Sequence, residues 1–410
     1  MVSPRNSSQI RRNNIRTLLA SIKQSGPISK RDLQKLTGLS WGAVSSLTGL
    51  LHEHGYVVYT GKQVTNVGRK PNELDINTDD YYIVGVDLNL SGVYGVVTDM
   101  KGRIVREWLR LFPRNDYDCV MEMLLSLLDE ILLNTFSHKH IQGIGLAVQG
   151  FVDMENGVSV YFPYILNWKD VPLRRILEER YGYPTLLMHA PHCIMVAERA
   201  FGNSFMRLAR NAVLLRLDNE IGMSLMANGQ LYMGASGKSG EIGHIPMAAD
   251  GLLCTCGNRG CLNEYVSGNG LVRRFVEQVN HGRKTRADID KIGYKTLGAA
   301  GLDGDELCME LFRQMGEQLG LALSVLFNIL EPELVVLHGD LTDYRSLFED
   351  AMKKQLAAHV YTGIQARLTF SELGSNAAAQ GVALLVSDWT VEELDLDDAG
   401  AAEDAGLKEE

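Results

Sequence analysis

The chain has 410 residues and a formal charge of −10, with 45% hydrophobic and 22% charged positions, so a single core is too small an expectation and two or three packed units are predicted. No uninterrupted apolar run of about 18 residues occurs, and the N-terminus, with Arg5, Arg11 and Arg12, lacks the apolar stretch of a signal peptide. Membrane insertion is therefore not expected, and the cytoplasm is the expected location. Six cysteines are too sparse for a disulfide framework, and three of them crowd at Cys254, Cys256 and Cys261.

The acidic balance is uneven. Residues 1–76 hold eleven Lys and Arg against four Asp and Glu, a net of +7 that leaves −17 for the remainder. A basic module on an acidic body suits a domain that meets phosphate, because charge acts locally over a Debye length of about 8 Å. Within that module Ile15, Leu18, Leu19 and Ile22 recur at helical spacing and predict an amphipathic helix that ends at Gly26 and Pro27. Ser29 followed by Asp32 marks a second helix start, with Leu33 and Leu36 as its apolar side, and Gly38 breaks it. Ser40 caps a third helix whose Val44, Leu47 and Leu51 form one stripe up to Gly55. A strand at Tyr56–Tyr59, a polar turn holding Arg69 and Lys70 beside Pro71, and a strand at Glu73–Ile76 then form a wing. This is a winged helix-turn-helix, in which the start of the third helix enters the major groove of double-stranded DNA. Trp41, Gly42, Ser45 and Ser46 are the candidates to face bases, and Arg69 and Lys70 to follow the backbone or reach the minor groove.

The body starts near Tyr81. Ile83–Asp87, Val93–Thr98 and Ile104–Leu111 read as strands, Val120–Leu133 as a helix and Ile141–Val148 as a further strand. A second set follows at Ala212–Leu217 and Met223–Met226, with helices around Leu271–Val279 and Leu307–Leu326 and a buried strand at Leu334–Leu337. Two α/β lobes with a cleft between them are predicted. The domains are residues 1–78 (winged helix-turn-helix), 81–190 (first lobe, with a C-terminal return of 375–390), 191–374 (second lobe) and 391–410, an acidic tail expected to be disordered.

His244, Cys254, Cys256 and Cys261 offer one imidazole and three thiolates, a soft tetrahedral set suited to Zn2+. Gly257 and Gly260 lie between the ligands, where a chain turning tightly round an ion needs permissive backbone. With all four bound, no coordination position stays open, so the zinc is expected to be structural.

The segments GEIGH at Gly240–His244 and CTCGNRGC at Cys254–Cys261 resemble the signature of the ROK family of repressors, open reading frames and sugar kinases. The helix-turn-helix with its GRKP wing resembles the repressor branch, and Phe162–Leu173 is similar to the family's sugar-side loop. The resemblance implies an actin-like, ribonuclease-H-like (sugar-kinase-like) pair of lobes, zinc on His244 and the three cysteines, and a homodimer or homotetramer.

Phosphoryl transfer in that family needs small residues at two phosphate loops and a carboxylate base. This chain departs at all three places. DLNLSG at Asp87–Gly92 stands for the family's DIGGTK, DNEIGMS at Asp218–Ser224 stands for GTGIGGG, and Ala190 stands for the base of its END motif. Asp218 and Glu220 are expected to oppose phosphate, and His189 or His192 are the remaining substitute bases. The resemblance places Glu241 and His244 on sugar hydroxyls, whereas His189 replaces the END asparagine and Asn263 a glutamate, unless the adjacent Glu264 takes that place. Glu241 has a second reading, holding the zinc loop through backbone hydrogen bonds.

The predicted function is a non-enzymatic, DNA-binding regulator, a repressor of carbohydrate-utilisation genes, with a catalytically inactive kinase-like domain for effector binding and oligomerisation. Its effector site is His189, Glu241, His244 and Asn263, and its effector a sugar or phosphosugar. Two alternatives stand beside it: a bifunctional ATP-dependent sugar kinase, and a regulator controlled by a protein partner.

Overall fold

A computed structural model describes residues 4–60, 73–394 and 396. Helix α1 (Pro4–Ser25) leads to the short strand β1 (Ile28–Ser29), helices α2 (Lys30–Thr37) and α3 (Trp41–Glu53), and strands β2 (Val57–Thr60) and β3 (Glu73–Ile76). The caps are those the sequence predicts. The Ser29 hydroxyl accepts the Asp32 N–H, the Ser40 hydroxyl accepts the Ala43 N–H, and Gly38 closes α2 at φ 71°. The strands form a three-stranded sheet in the order β1-β3-β2, with β3 antiparallel to both neighbours. Arg69 and Lys70 lie outside the described residues.

The first lobe opens with the meander β4 (Tyr81–Leu88), β5 (Gly92–Asp99) and β6 (Ile104–Leu111), continues through α4 (Tyr117–Asp129) and returns as β7 (His140–Val148). A small side sheet follows, β8 (Phe151–Asp153), β9 (Val158–Tyr161) and β10 (Lys169–Val171), then α5 (Leu173–Tyr181) and β11 (Thr185–His189). The large sheet has the order β11-β7-β4-β5-β6, in which β7 runs parallel to β4 and β11. Apolar alternation in β4 and β7 is replaced by near-continuous burial because helices cover both faces.

Helices α6 (Ala190–Phe201) and α7 (Ser204–Leu208) cross to the second lobe, which repeats the pattern with β12 (Ala212–Leu217), β13 (Ile221–Ala227) and β14 (Gln230–Leu231). After a long loop come α8 (Asn263–Val266), α9 (Gly268–Asn280), α10 (Tyr294–Leu302), α11 (Glu306–Leu330), β15 (Leu334–His338), α12 (Glu349–His359) and β16 (Leu368–Phe370). Its sheet has the order β14-β13-β12-β15-β16. Phe275, Phe312, Met315 and Leu323 from α9 and α11 fill the core on one side of it.

The chain ends its described course in α13 (Ala377–Glu393), which returns to the first lobe. Packing there is at backbone contact: a Cβ on Gly381 would lie 1.8 Å from the Cys193 carbonyl oxygen in α6. The far end of α13 meets the N-terminal head. Ala383, Val386, Val391, Leu394 and Leu396 share one core with Ile15, Leu18, Leu19 and Ile22 of α1. Lys23 Nζ reaches Asp388 at 2.7 Å, and Arg16 Nε donates to the Leu394 carbonyl at 3.4 Å.

The acidic tail therefore does not start at Val391. Helix α13 runs on to Glu393, and the burial of Val391, Leu394 and Leu396 against the head outweighs the solvation of the acids between them. Residues 397–410 lie outside the described residues.

Candidate functional site

The metal motif hangs between β14 and α8. Glu241 precedes a single helical turn, Ile242–His244, and the cysteines follow on a loop whose Gly257 and Gly260 sit at φ 90° and 68°. Backbone bonds Cys254 N–H to Asn258 O at 2.8 Å and Gly257 N–H to Cys254 O at 2.9 Å close this loop on itself. His244 Nδ1 then lies 3.7 Å from Cys254 Sγ, Cys256 Sγ lies 3.7 Å from Cys261 Sγ, and all four donor atoms fall within 4.8 Å of one another. The edge of a tetrahedron round a divalent ion with metal–ligand bonds near 2.0–2.3 Å is roughly 3.3–3.8 Å, so the donor set fits a metal. Burial, with the neighbouring thiols, pushes Cys261 up to about 12, so metal binding there displaces protons. His244 turns its other nitrogen, Nε2, towards Glu241 Oε2 at 4.0 Å, a carboxylate–imidazole pairing that orients a ligand ring. The Glu241 carboxylate caps no backbone N–H of its helical turn.

The four residues predicted for effector binding come together. His189 at the end of β11, Glu241, His244 and Asn263 line one cleft between the lobes, with Phe151 and Tyr161 of the side sheet on the opposite wall. The wall is anchored behind the cleft by Phe162 and Trp168, both buried, with Trp168 Nε1 donating to Ser159 Oγ at 2.9 Å. Burial, aided by His192 and Arg216, holds His189 down to about 3, so it is a neutral ring and a poor proton acceptor. His192 is fully buried with Nδ1 2.9 Å from Ser224 Oγ, and burial holds it down to about 4. Of the two, only His189 lines the cleft, since His192 is buried against Ser224.

Three details depart from the sequence expectations. Glu220, expected to face a phosphate, instead lines the sugar-side cleft with Glu241. Glu264, the alternative to Asn263, is buried behind the lining, ion-paired to Arg273 at 2.5 Å, and does not itself line the cleft. Asn263 lines the cleft but also accepts the Ile221 N–H at 3.1 Å, bracing the turn that carries Glu220. Thr255, between two of the cysteines, is a further lining residue that no sequence signal marked apart from its position in the loop.

A second cleft lies across the hinge, where the two altered loops face each other. Asn89 fills the first of them. Its Oδ1 accepts the N–H groups of Ser91 at 2.9 Å and Gly92 at 3.2 Å, while Leu90 N–H donates to Gln149 Oε1 at 3.3 Å. Backbone donors that would have to turn to a phosphate are thereby already satisfied. From the other side Arg216 enters, buried, with Nε 2.6 Å from Asp218 and an Nη nitrogen 3.9 Å from Asp87. Asp340 N–H donates to Asp218 at 2.7 Å, and Lys295 pairs with Asp340 at 2.6 Å. Three aspartates and two cations thus share the space, with Asp87 Oδ1 and Arg216 Nη1 buried without a hydrogen-bond partner among the described residues.

On the head, Val44, Leu47, Thr48 and Leu51 of α3 point into the core. Trp41, 53% exposed, Gly42 and Ser46 are on the open face, with Ser45 half-buried beside them. Lys35 and Arg31 of α2 are also exposed.

Residues 83–389 match the ROK family model. This chain belongs to the ROK family. It is similar to the xylose repressor of Bacillus subtilis, 27% identical over 382 residues that cover 92% of this chain and 96% of that protein. It is also similar to the DNA-binding transcriptional dual regulator NagC of Escherichia coli, 25% identical, with 89% and 90% covered. Among solved structures, a ROK family transcriptional regulator described as a homologue of the Escherichia coli MLC protein superposes with a TM-score of 0.80 at 23% identity over 93% of this chain and 97% of that one. A ROK family glucokinase from Streptomyces griseus, solved with glucose and AMPPNP, superposes with a TM-score of 0.64 at 24% identity, covering 74% of this chain and 98% of its own. The body thus has the sugar-kinase-like fold, and the kinase match leaves about a quarter of this chain outside it. No described helix is long and apolar enough to cross a membrane.

Proposed function

We propose that this ROK protein is a sugar-responsive transcriptional repressor. Its N-terminal head acts as a winged helix-turn-helix on double-stranded operator DNA, and its kinase-like body acts as an effector-binding and oligomerising domain. What carries the reading is coverage: the match to a xylose repressor takes in the head as well as the body, whereas the glucokinase match stops at the body. The open face of α3, with Trp41, Gly42, Ser45 and Ser46, is the surface that enters the major groove, and Arg69 and Lys70 are assigned to the wing. Paired heads on a homodimer or homotetramer suit a two-fold operator.

The body is read as catalytically silent. Ala190 cannot accept a proton, His192 is buried against Ser224 off the cleft, and the Asn89 side chain occupies the loop donors of the phosphate site. The metal is read as a structural zinc on His244, Cys254, Cys256 and Cys261, which fixes the loop that presents Glu241 and Thr255 to the effector cleft. Helix α13, anchored on α6 at one end and sharing the core of the head at the other, is the element through which a change at the cleft reaches the DNA-binding face. The deciding measurement is a binding titration of the full chain against DNA from its own promoter regions and against random DNA. Selective binding that is lost in the double variant Ser45→Ala with Arg69→Ala is expected. Equal binding to both DNAs, or selective binding unmoved by that variant, overturns the DNA reading.

A further inference from the structure

The effector cleft has an electrical character that its general likeness to a sugar site does not fix. Among the described residues two carboxylates line it, Glu220 and Glu241, and no lysine or arginine does. Two cations lie outside the lining. Arg273 acts on Glu220 from behind the wall, but it is ion-paired to the buried Glu264 at 2.5 Å. Lys238 acts on Glu241 from an exposed position outside the cleft. His189, held neutral by burial, offsets neither carboxylate. Burial, with Glu241 beside it, raises Glu220 to about 7, so its charge is present above that value. The remaining lining is aromatic or neutral: Phe151, Tyr161, Thr255 and Asn263.

Glu220 is the feature that makes this arrangement. It stands on the turn between Asp218 and Ile221, at a place where the kinase-type loop has glycine, and the Asn263 side chain holds that turn by accepting the Ile221 N–H at 3.1 Å. Its carboxylate therefore lines the same cleft as Glu241, on a braced support and not on a free loop. Hydroxyl and ammonium groups donate hydrogen bonds to such a pair. A phosphate dianion brings only acceptors and like charge, which a carboxylate pair without a lining cation opposes.

We propose that Glu220 is a charge filter, which makes the cleft select sugars that are neutral or carry a free amine and reject phosphosugars. The inference rests on the reading of this cleft as an effector site and names the chemical class that the site admits. It also gives Glu220 a role distinct from Glu241. Glu241 is oriented with the metal-loop histidine, whereas Glu220 sets discrimination between uncharged and anionic forms of the same sugar.

The test is calorimetric titration, at about pH 8 where Glu220 is ionised, of the full-length, metal-loaded protein with three matched series. These are free aldoses including xylose, glucose and N-acetylglucosamine, the free amine glucosamine, and the 6-phosphates of the hexoses. The wild type is expected to bind at least one free sugar or glucosamine, and to bind the corresponding 6-phosphate weaker by on the order of a hundredfold, the scale of a like charge placed opposite a carboxylate at a partly desolvated site. In Glu220→Gln, which keeps shape and hydrogen-bonding reach, that gap is expected to narrow about tenfold, with metal content and melting temperature unchanged. A 6-phosphate bound as well as or better than its free sugar overturns the filter while leaving the sugar-effector reading intact. A gap unchanged in Glu220→Gln removes Glu220 from the role. No binding from any of the three series overturns the sugar-effector reading itself, and the filter with it.

Discussion

Replacing Arg216 by Met tests the account of the hinge cleft at its centre. Arg216 is 9% exposed as a side chain, between Asp218 at 2.6 Å and Asp87 at 3.9 Å, whose side chains are 12% and 1% exposed. Methionine keeps the stem but removes the charge, leaving two buried carboxylates without their cation. Removing one partner of a buried pair costs about 3–5 kcal/mol, because the charge left behind is neither solvated nor compensated. For a body of some 300 residues, at roughly 2 °C per kcal/mol, the melting temperature should fall by about 6–10 °C.

The pH dependence follows from Asp87. Burial raises its pKa, an effect that Arg216 and Asn89 oppose, so loss of Arg216 raises it further. A carboxyl with a raised folded pKa holds its proton in the folded state over a window where the unfolded chain has released it. Stability therefore falls as pH rises from the ordinary carboxylate value of about 4 through the raised value, and the deficit is full above it. Denaturant titrations of wild type and Arg216→Met, followed by circular dichroism at about pH 5.5 and about pH 7.5, should show the larger difference at the higher pH. A variant within about 1 kcal/mol of wild type at both pH values would refute the reasoning, since it would mean that water reaches the aspartates and no buried network exists.

Two further outcomes follow from the same geometry. Cys256→Ser should lower bound metal well below one equivalent by elemental analysis and weaken effector binding more than tenfold, because the loop carrying Thr255 and Glu241 loses its fixed end; stoichiometric metal in that variant removes the assignment of Cys256 as a ligand. ATP with magnesium should give no measurable heat and no phosphorylated sugar in a coupled assay, and Asn89→Gly should free the Ser91 and Gly92 donors without restoring turnover, since Ala190 still lacks a base. Turnover on any hexose by the wild type contradicts the silent-body reading.

Much of this molecule is written locally. The caps at Ser29 and Ser40, the left-handed Gly38 and the apolar stripe Val44, Leu47, Leu51 determine the head helices within one or two turns, so their sequence reading and their structure coincide. The metal donors are local as well, since His244 and the three cysteines span only 18 residues with glycines at the two turns that need positive φ. The departure from the family's phosphate loop was legible at Asn89, but its structural consequence was not. Only the folded loop brings the Asn89 carbonyl oxygen onto two backbone N–H groups.

Tertiary structure alone decided the rest, and the reason is sequence separation. Glu220 and Glu241 meet across one cleft with His189, and Arg216 meets Asp87 more than a hundred residues away, because the two sheets close on each other at the hinge. Nothing in the periodicity of either segment encodes that approach. The acidic stretch after Val391 shows the limit of composition in the same way: its charges predict solvated chain, but Val391, Leu394 and Leu396 find an apolar partner in α1, nearly the whole chain away, and burial against it wins.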